Sequence, residues 1–300
     1  MNNTSFIDSL RNFIRYGGMT VKIIAFNAIV FLLIQVIDVY ARLMQKEGAF
    51  SEFIEYIFTL NSDVSIFITQ PWALFTSIFA HFTFMHFAFN MIFMYFSGKM
   101  FEQIFDQKRL LYTYIIGGLC GGILEIIAHA VFPALQGTYT VIVGASGSIM
   151  AIFLSLAFYR PNLKVMFFGI FPIRLFFLAL FFLLSDLISL GLDDGTAHFA
   201  HLGGALFGIL SVYKVNSSNN IVNRLQMMGD QLTIFFSKLS SIKVRKKQST
   251  KQRFKTDEEY NLEKKSNQQK TDKILDKISK SGYDSLSKKE KDFLFNQSKK

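Results

Sequence analysis

The sequence predicts an all-α, polytopic membrane protein, with six transmembrane helices followed by a basic cytoplasmic tail. Three observations support this fold class: the composition, six long apolar runs, and the distribution of charge. Hydrophobic residues make up 51% of the 300 residues, and 35 residues are phenylalanine. A soluble domain of this length could not bury so much apolar surface. Four prolines are too few for a disordered chain, and the single cysteine excludes an intrachain disulfide.

The apolar runs approach the length of about 20 residues that a helix needs to cross a bilayer. They lie near residues 21–40, 75–98, 110–130, 147–160, 172–191 and 196–213. The fourth run is short and the second contains histidines, so hydropathy alone would rank both lower. The runs predict a membrane domain over residues 21–213.

The basic residues predict the orientation of the six helices. With the N-terminus inside, Lys and Arg gather at the cytoplasmic ends, whereas the outer loops hold few of them and several acids. The cytoplasmic set is Arg11, Arg15, Lys22, Lys99, Lys108, Arg109, Arg160, Lys164 and Arg174. This arrangement satisfies the positive-inside rule at every loop. We therefore expect a multi-pass protein of the cell membrane with both termini in the cytoplasm.

Two segments flank the predicted membrane domain. Residues 1–20 place Phe6, Leu10, Phe13 and Ile14 on one helical face, which indicates a cytoplasmic amphipathic segment at the membrane surface. Residues 214–300 hold 21 Lys/Arg against 10 Asp/Glu, a net charge of +11, whereas residues 1–213 have a net charge of −1.

The tail has a basic run at Lys243–Lys247, and its aromatic residues are not interleaved with that run. We therefore expect no nucleic-acid partner and favour a solvated segment near anionic lipid. A helical hairpin is predicted over residues 274–297, with Ser287 and Glu290 as a capping box. The sequence indicates no partner for the tail.

Polar residues of three predicted helices fall at one depth in the membrane. Ser146 lies 14 residues from Arg160, while His201 and His86 each lie 13 residues from Lys214 and Lys99. At a rise of 1.5 Å per residue, all three lie roughly 20 Å above the inner surface. Ionisable residues within spans are costly and mark candidate functional sites.

Small residues predict that two of these helices approach closely. Gly204-x-x-x-Gly208 follows His201, and Gly147-x-x-x-Ala151 follows Ser146. Small-xxx-small faces allow helix backbones to pack together, which favours a hydrogen bond between the serine and an imidazole. A serine at a helix N-terminus also has free backbone N–H groups nearby for an oxyanion. His86 and Asn90, four residues apart, share a helix face.

These residues resemble the motifs of the rhomboid family of intramembrane serine proteases. Gly144-Ala145-Ser146-Gly147 is similar to the family's GxSG motif, and the stretch from His201 through Gly204 to Gly208 is similar to its HxxGxxxG motif. His81, His86 and Asn90 resemble the second-span motif, and Gly98 with Glu102 resembles the Gly/Glu pair after it. The resemblance covers residues 70–213.

The resemblance implies a Ser146–His201 dyad without an acid, and neither a metal nor a cofactor. It also implies an oxyanion hole formed by the Ser146 N–H with the side chains of His86 and Asn90, while His81 holds the neighbouring loop. The expected substrates are transmembrane segments of other proteins, cut near the outer face of the bilayer.

The chain departs from the family pattern in two places. The first outer loop, residues 41–71, lacks the Trp-Arg pair seen in many members, and position 150, often an aromatic residue beside the catalytic histidine, is methionine.

Simpler interpretations exist for each residue. Ser146 alone would be a small packing residue, His198 is a rival base one turn from His201, and Asn90 could join two helices. We interpret Glu102 as an anchor of a helix end. Glu125, His129 and Asp186 are interpreted as polar groups at helix boundaries or between helices.

Two other functions remain as alternatives. One is a non-catalytic, rhomboid-like binder of membrane segments, which would be expected to lack the serine or the histidine. The other is a metal-dependent membrane protein that uses the histidines. His81 and His86 point about 140° apart on an ideal helix, and the sequence has no HExxH motif.

Overall fold

Helices make up most of the chain in the computed structural model, which describes residues 6–136, 138, 140–167, 171–192, 194–243 and 257–297. The helices are α1 (Phe6–Tyr16), α2 (Gly18–Leu43), α3 (Glu47–Phe58), α4 (Val64–Thr69), α5 (Ala73–Thr76), α6 (Phe84–Glu102), α7 (Gln107–Val131), α8 (Ser146–Tyr159), α9 (Leu175–Ile188), α10 (His198–Val212), α11 (Ile221–Lys243), α12 (Asp257–Ser281) and α13 (Lys288–Gln297). Two antiparallel strand pairs are present, β1 (Leu60–Asn61) with β2 (Val141–Ile142) and β3 (Lys164–Phe167) with β4 (Phe171–Arg174).

The helices α2 and α7 are long and apolar enough to cross a membrane, with 26 and 25 residues. Residues 73–79 and α6 reach the length and apolarity of a span only when the two are taken together as one bent pair. The other apolar helices α8, α9 and α10 have 14, 14 and 15 residues, or about 21–23 Å at 1.5 Å per residue. These helices identify the chain as a membrane protein.

The structure breaks the second predicted run, 75–98, into two pieces. The chain bends by 85° between residues 73–79 and α6, and the Thr83 hydroxyl accepts a hydrogen bond from the His86 N–H at 3.4 Å. Threonine at this position is a favoured helix N-cap. The helix that carries His86 and Asn90 therefore begins at Phe84.

The start of the fifth predicted run, 172–191, also differs from the prediction. Residues 171–174 form β4, which pairs with β3 in the register Lys164 with Arg174, and α9 starts only at Leu175. The pairing with β3 accounts for the difference, because it holds residues 171–174 in an extended conformation.

The helix α8 lies at the centre of the bundle, and every residue from Gly147 to Ala157 except Met150 is buried. It packs against α6, α7, α9 and α10. A helix that is apolar all round lies in a protein core or in a membrane, and the neighbours of α8 are other helices. Ser146 is the first residue of this central helix.

Small residues set the spacing of α7, α8 and α10. A Cβ atom on Gly204 would collide with the Gly147 carbonyl oxygen, and one on Gly208 would collide with the Ala151 carbonyl oxygen. A Cβ atom on Gly117 of α7 would also collide with Ala151. These glycines let the backbones approach more closely than larger residues would allow.

Large apolar side chains on the outer faces of α2, α6 and α9 are exposed. The set includes Phe26, Ile29, Leu32, Leu33, Val36, Phe84, Met85, Phe89, Ile92, Phe96, Phe177, Phe181, Leu184 and Leu187. An apolar surface of this extent is unstable in water and is the expected surface for contact with lipid.

The chain divides into two units, Met1–Phe236 and Ser237–Lys300. The larger unit extends beyond the predicted membrane domain, which ended at residue 213. Arg109 of α7 explains the extension, because its guanidinium donates hydrogen bonds to Asn223 at 2.7 Å and Asn220 at 2.9 Å. At the other end, α2 begins at Gly18, so the predicted boundary at residue 20 falls inside this helix. Residues 1–5 lie outside the described residues.

The smaller unit contains a helical hairpin of α12 and α13. The first helix begins at Asp257, earlier than the predicted 274, and the Lys277 ammonium pairs with the Glu290 carboxylate at 3.0 Å. Glu290 also accepts hydrogen bonds from the Ser287 hydroxyl and N–H, both at 2.7 Å. These bonds, the Ser287 hydroxyl first, lower the pKa of the Glu290 carboxyl to about 2. Most of the basic run, residues 244–247, lies outside the described residues.

Candidate active site

The loop before α8 holds Ser146 in place from two sides. Gly144 has φ +114°, a left-handed conformation that glycine adopts without strain, and its N–H donates to the Ser77 carbonyl oxygen at 2.9 Å. The Ala145 N–H donates to His81 Nε2 at 3.4 Å. His81 thus contacts the loop that the family resemblance assigned to it.

Ser146 is the first residue of α8, so the helix N-terminus surrounds it. The Ile149 N–H donates to the Ala145 carbonyl oxygen at 2.9 Å and makes the first bond of the helix. The N–H groups of Ser146, Gly147 and Ser148 precede that bond, and helix geometry gives them no intrahelical acceptor. Such groups favour an anion close to the serine.

His201 lies in the first turn of α10. Its N–H donates to the Ala197 carbonyl oxygen at 3.2 Å. The preceding residue, Ala200, donates its N–H to the Glu125 carboxylate of α7 at 2.9 Å, and a Cβ atom on Gly147 would lie 3.1 Å from the Ala200 carbonyl oxygen. The start of α10 is therefore fixed against both α7 and α8.

The α6 residues His86 and Asn90 face the same loop. The His86 ring lies against Gly144, where an added Cβ atom would come within 2.6 Å of the ring carbon Cε1. The Asn90 side-chain amide donates to the His86 carbonyl oxygen at 2.9 Å, and Asn90 is buried. Their spacing of four residues places both on one face, as the sequence predicted.

A cavity of about 440 Å³ brings four of the predicted residues together. Ser146, His201, His86 and Asn90 all line it, with Gly144 and Gly147 beside them. The strand pair β1–β2 forms part of its wall through Leu60, Val141 and Ile142. The predicted residues of three separate helices thus meet in one space.

A second cavity, of about 250 Å³, lies between α6 and α9 and also reaches Ser146 and His201. Its other walls are mainly apolar, and they include Phe89, Phe93, Met150, Phe153 and Phe182. Met150, at the position where the family pattern often has an aromatic residue, therefore lines the same cavity as His201.

The remaining supporting residues lie away from both cavities. Glu102 accepts a hydrogen bond from the Thr20 N–H at 3.0 Å, so it anchors the start of α2. Gly98 packs against the same threonine, since a Cβ atom there would lie 2.7 Å from the Thr20 hydroxyl. Both residues act on helix packing rather than on the candidate site.

Asp186 is a site residue that the sequence analysis did not assign to the site. It is buried in α9, 8% exposed, and its Oδ1 lies 2.9 Å from His201 Nδ1 and 2.8 Å from His198 Nδ1. The resemblance implied a dyad without an acid, whereas here a carboxylate contacts the histidine. A signal was present in the sequence, because an acid within an apolar run is costly and marks a candidate site.

His198 bridges two carboxylates. Its Nδ1 contacts Asp186, and its Nε2 lies 3.1 Å from the Asp194 carboxylate. The Thr196 backbone N–H, and secondarily His198, hold the pKa of the Asp194 carboxyl below its usual range. Both nitrogens of His198 are therefore engaged by acids, whereas the predicted base His201 has one engaged by Asp186.

Asp186, His198 and His201 also form the kind of group that binds a metal ion. One ligand atom from each lies within 4.8 Å of the others. Two histidines and a carboxylate fit the ligand preference of zinc. The contacts of Asp186 with both rings are 2.8 and 2.9 Å, which are ordinary hydrogen-bond distances, so the arrangement is also complete without an ion.

Comparison with known proteins relates the chain to rhomboids. The rhomboid domain family matches residues 69–218, and a family of unknown function (DUF6576) matches residues 255–300. RHOMBOID-like protein 12, mitochondrial, of Arabidopsis thaliana is 32% identical over 145 residues, covering 44% of this chain and 43% of that protein.

Two vertebrate proteins are also similar. Presenilin-associated rhomboid-like protein A, mitochondrial, of Danio rerio is 30% identical over 139 residues, covering 44% of this chain and 34% of that protein. Presenilin-associated rhomboid-like protein, mitochondrial, of Rattus norvegicus is 28% identical over 206 residues, covering 64% and 48%. The chain spans less than half the length of each of these three relatives. The rhomboid domain covers half of this chain, and the chain belongs to the rhomboid family.

Proposed function

We propose that this protein is an intramembrane serine endopeptidase that cleaves transmembrane segments of other proteins. Ser146 is the nucleophile and His201 is the general base. The observation that carries the proposal is that Ser146, at the start of α8, and His201, at the start of α10, line the same two cavities. A nucleophile next to a base, with helix N–H groups beside it, is the arrangement that acyl transfer requires.

The mechanism follows from the contacts of the two rings and the loop. His201 Nδ1 contacts Asp186, so Nε2 is the nitrogen left to accept the Ser146 hydroxyl proton. The serine oxygen attacks the peptide carbonyl, and the developing oxyanion is stabilised by the Ser146 N–H with His86 and Asn90. His201 then gives the proton to the leaving amine, and water releases the acyl group by the same steps in reverse.

We infer that α2, α6, α7, α8, α9 and α10 form six spans with both termini in the cytoplasm. The distribution of Lys and Arg supports this orientation. The 14 residues of α8 cover about 21 Å of a core about 30 Å thick. If α8 ends at the cytoplasmic face, Ser146 lies roughly 10 Å below the outer face. The larger cavity would then give water a path to Ser146.

The cavity between α6 and α9 supports a substrate that is itself a membrane helix. Its aromatic and aliphatic walls suit an apolar chain, and they lead to Ser146 and His201. A helical peptide bond is shielded by its own hydrogen bonds, so segments that contain Gly or Pro near the cut unwind more easily. We expect such segments to be preferred.

Two membranes are candidates for the location of the protein. The distribution of Lys and Arg among the loops led to the prediction of a cell membrane, whereas the three relatives are named as mitochondrial proteins. Fractionation of source cells that express the tagged full chain distinguishes the two.

Labelling with a fluorophosphonate probe tests the proposed chemistry directly. The purified full chain in detergent should react with the probe, and prior incubation with the probe should block cleavage of a model transmembrane substrate. An active preparation that does not react with the probe would argue against a serine nucleophile.

The Asn90→Ala variant tests the proposed oxyanion hole. We expect kcat to fall by about 10²–10³-fold with KM nearly unchanged, because the donor acts on charge that develops only in the transition state. Steady-state kinetics in detergent measure both constants, and thermal unfolding is the control. A normal kcat, or a loss matched by a collapse in stability, would mean that Asn90 only joins helices.

A metal-dependent hydrolase is the second candidate, favoured by the group of Asp186, His198 and His201. The proposed serine mechanism predicts that prolonged treatment with EDTA or phenanthroline leaves the cleavage rate unchanged, because its nucleophile is a side chain. Loss of activity on chelation that added Zn²⁺ restores would favour the metal-dependent function instead. Metal analysis of the active fraction by mass spectrometry is the control.

A further inference from the structure

The buried carboxylate of Asp186 contacts the Nδ1 ring nitrogen of His201. The distance between Asp186 Oδ1 and His201 Nδ1 is 2.9 Å, and both side chains are largely shielded from solvent. A carboxylate accepts hydrogen bonds and cannot donate them, so Nδ1 carries the proton. The tautomer with a free Nε2 lone pair is the one that a general base needs.

We propose that Asp186 is a positioning residue for His201, which fixes its ring orientation and tautomer and stabilises the imidazolium formed during the reaction. This inference rests on the proposed protease function. It replaces the expected dyad with a Ser146–His201–Asp186 triad, in which Asp186 acts only through the histidine.

The Asp186 carboxylate orients the His201 ring more strictly than the neighbouring Met150 side chain can. Met150 lies beside His201 in the smaller cavity. A methionine side chain has three rotatable bonds, so it restrains a ring less than a flat aromatic surface would. A hydrogen bond to an ionised acceptor is directional and strong, and α9 holds its acceptor rigidly.

The charge of Asp186 favours a cationic His201. When His201 takes the serine proton, its imidazolium lies at hydrogen-bond distance from an ionised carboxylate. The second carboxylate of the cluster, Asp194, contacts Nε2 of His198, so it acts on His198.

The Asp186→Asn variant tests the inference, since the amide keeps the size of the side chain and removes its charge. We expect kcat to fall by at least about 100-fold, with about 10⁴-fold as the limit for loss of the acid from a triad. KM should stay within about threefold, because Asp186 acts after the substrate is bound. Asp186→Glu should recover at least about tenfold in kcat over Asp186→Asn, since it restores a carboxylate.

Asp194→Asn is the matched control. It removes the other carboxylate that contacts His198 and leaves the bond between Asp186 and His201 in place. We expect its kcat to stay within about threefold of the wild-type value, the range expected for an exposed acid. A loss in this variant as large as in Asp186→Asn would assign the effect to the cluster as a whole and would overturn the inference.

The same assay separates this inference from the proposed function. Cleavage that persists in Ser146→Ala removes both. Cleavage lost in Ser146→Ala but with a normal kcat in Asp186→Asn overturns the inference alone. Equal losses in Asp186→Asn and Asp186→Glu, together with a large drop in Tm, would mean that Asp186 only packs α9 against α10, which also overturns it.

Discussion

The Ser146→Ala variant is expected to lose both cleavage of a transmembrane substrate and reaction with a fluorophosphonate. Removal of the nucleophile from a serine–histidine unit costs on the order of 10⁶ in kcat, which would place the remaining rate below detection. The fold should survive, because two hydrogen bonds hold the loop: the Gly144 N–H donates to the Ser77 carbonyl oxygen and the Ala145 N–H donates to Nε2 of His81. We expect a change in stability within about 1 kcal/mol, measured by thermal unfolding in detergent.

Ser148→Ala provides the matched control on the same helix. Ser148 is fully buried one half-turn further along α8, where it packs against Gly118. It should keep its kcat within a few-fold of the wild-type value, because its hydroxyl faces α7 rather than His201. Undiminished cleavage by the Ser146 variant would refute Ser146 as the nucleophile and with it the serine protease function. An equal loss in both variants would point to damaged helix packing.

Local sequence signals predicted the elements that hold the proposed nucleophile. Glycine beside a serine at the start of an apolar run predicted the beginning of α8, and the structure begins that helix at Ser146. The spacing of small residues predicted close approach of two helices, and Gly204 lies against Gly147. Counting residues placed His86, Ser146 and His201 at one depth, and one cavity includes all three. These signals depend on spacing along single helices.

Other features depend on a helix cap or on strand pairing within or beside an apolar run, and the average hydropathy of that run does not encode them. The bend between residues 73–79 and α6 follows from the Thr83 cap within a run that is apolar on both sides. The pairing of β3 with β4 replaced the first turn of a predicted span. Both changes shorten a helix near an end, where hydropathy has the least resolution.

The sequence could mark Asp186 as a candidate site residue, but it could not indicate the role inferred for it. Its burial cost made it notable, but the sequence gives no measure of which of five histidines it faces. Asp186 and His201 are 15 positions apart in the sequence, with a loop between their helices. Their contact therefore depends on how α9 packs against α10. Family resemblance pointed away from it, since the motif names a serine and a histidine without an acid.

The choice of base gives the second large effect. His201→Ala should be as inactive as Ser146→Ala, and the double variant should be no worse, because the two residues act as one unit. His198→Ala should keep measurable turnover, reduced by no more than about tenfold, because it loses bonds to Asp186 and Asp194 while the bond between Asp186 and His201 remains. Initial rates of cleavage by all four variants, at equal amounts of folded protein, measure these differences.

The geometry explains why the two histidines should differ. They lie three residues apart on α10 and contact the same oxygen of Asp186, so sequence position and acid contact do not separate them. His198 has Asp194 on its second nitrogen, whereas His201 lines both cavities with Ser146. A base needs a free nitrogen directed at the nucleophile, and His201 meets that condition. Inactive His198→Ala with active His201→Ala would mean that the proton passes through His198, and the assignment of the triad would then be wrong.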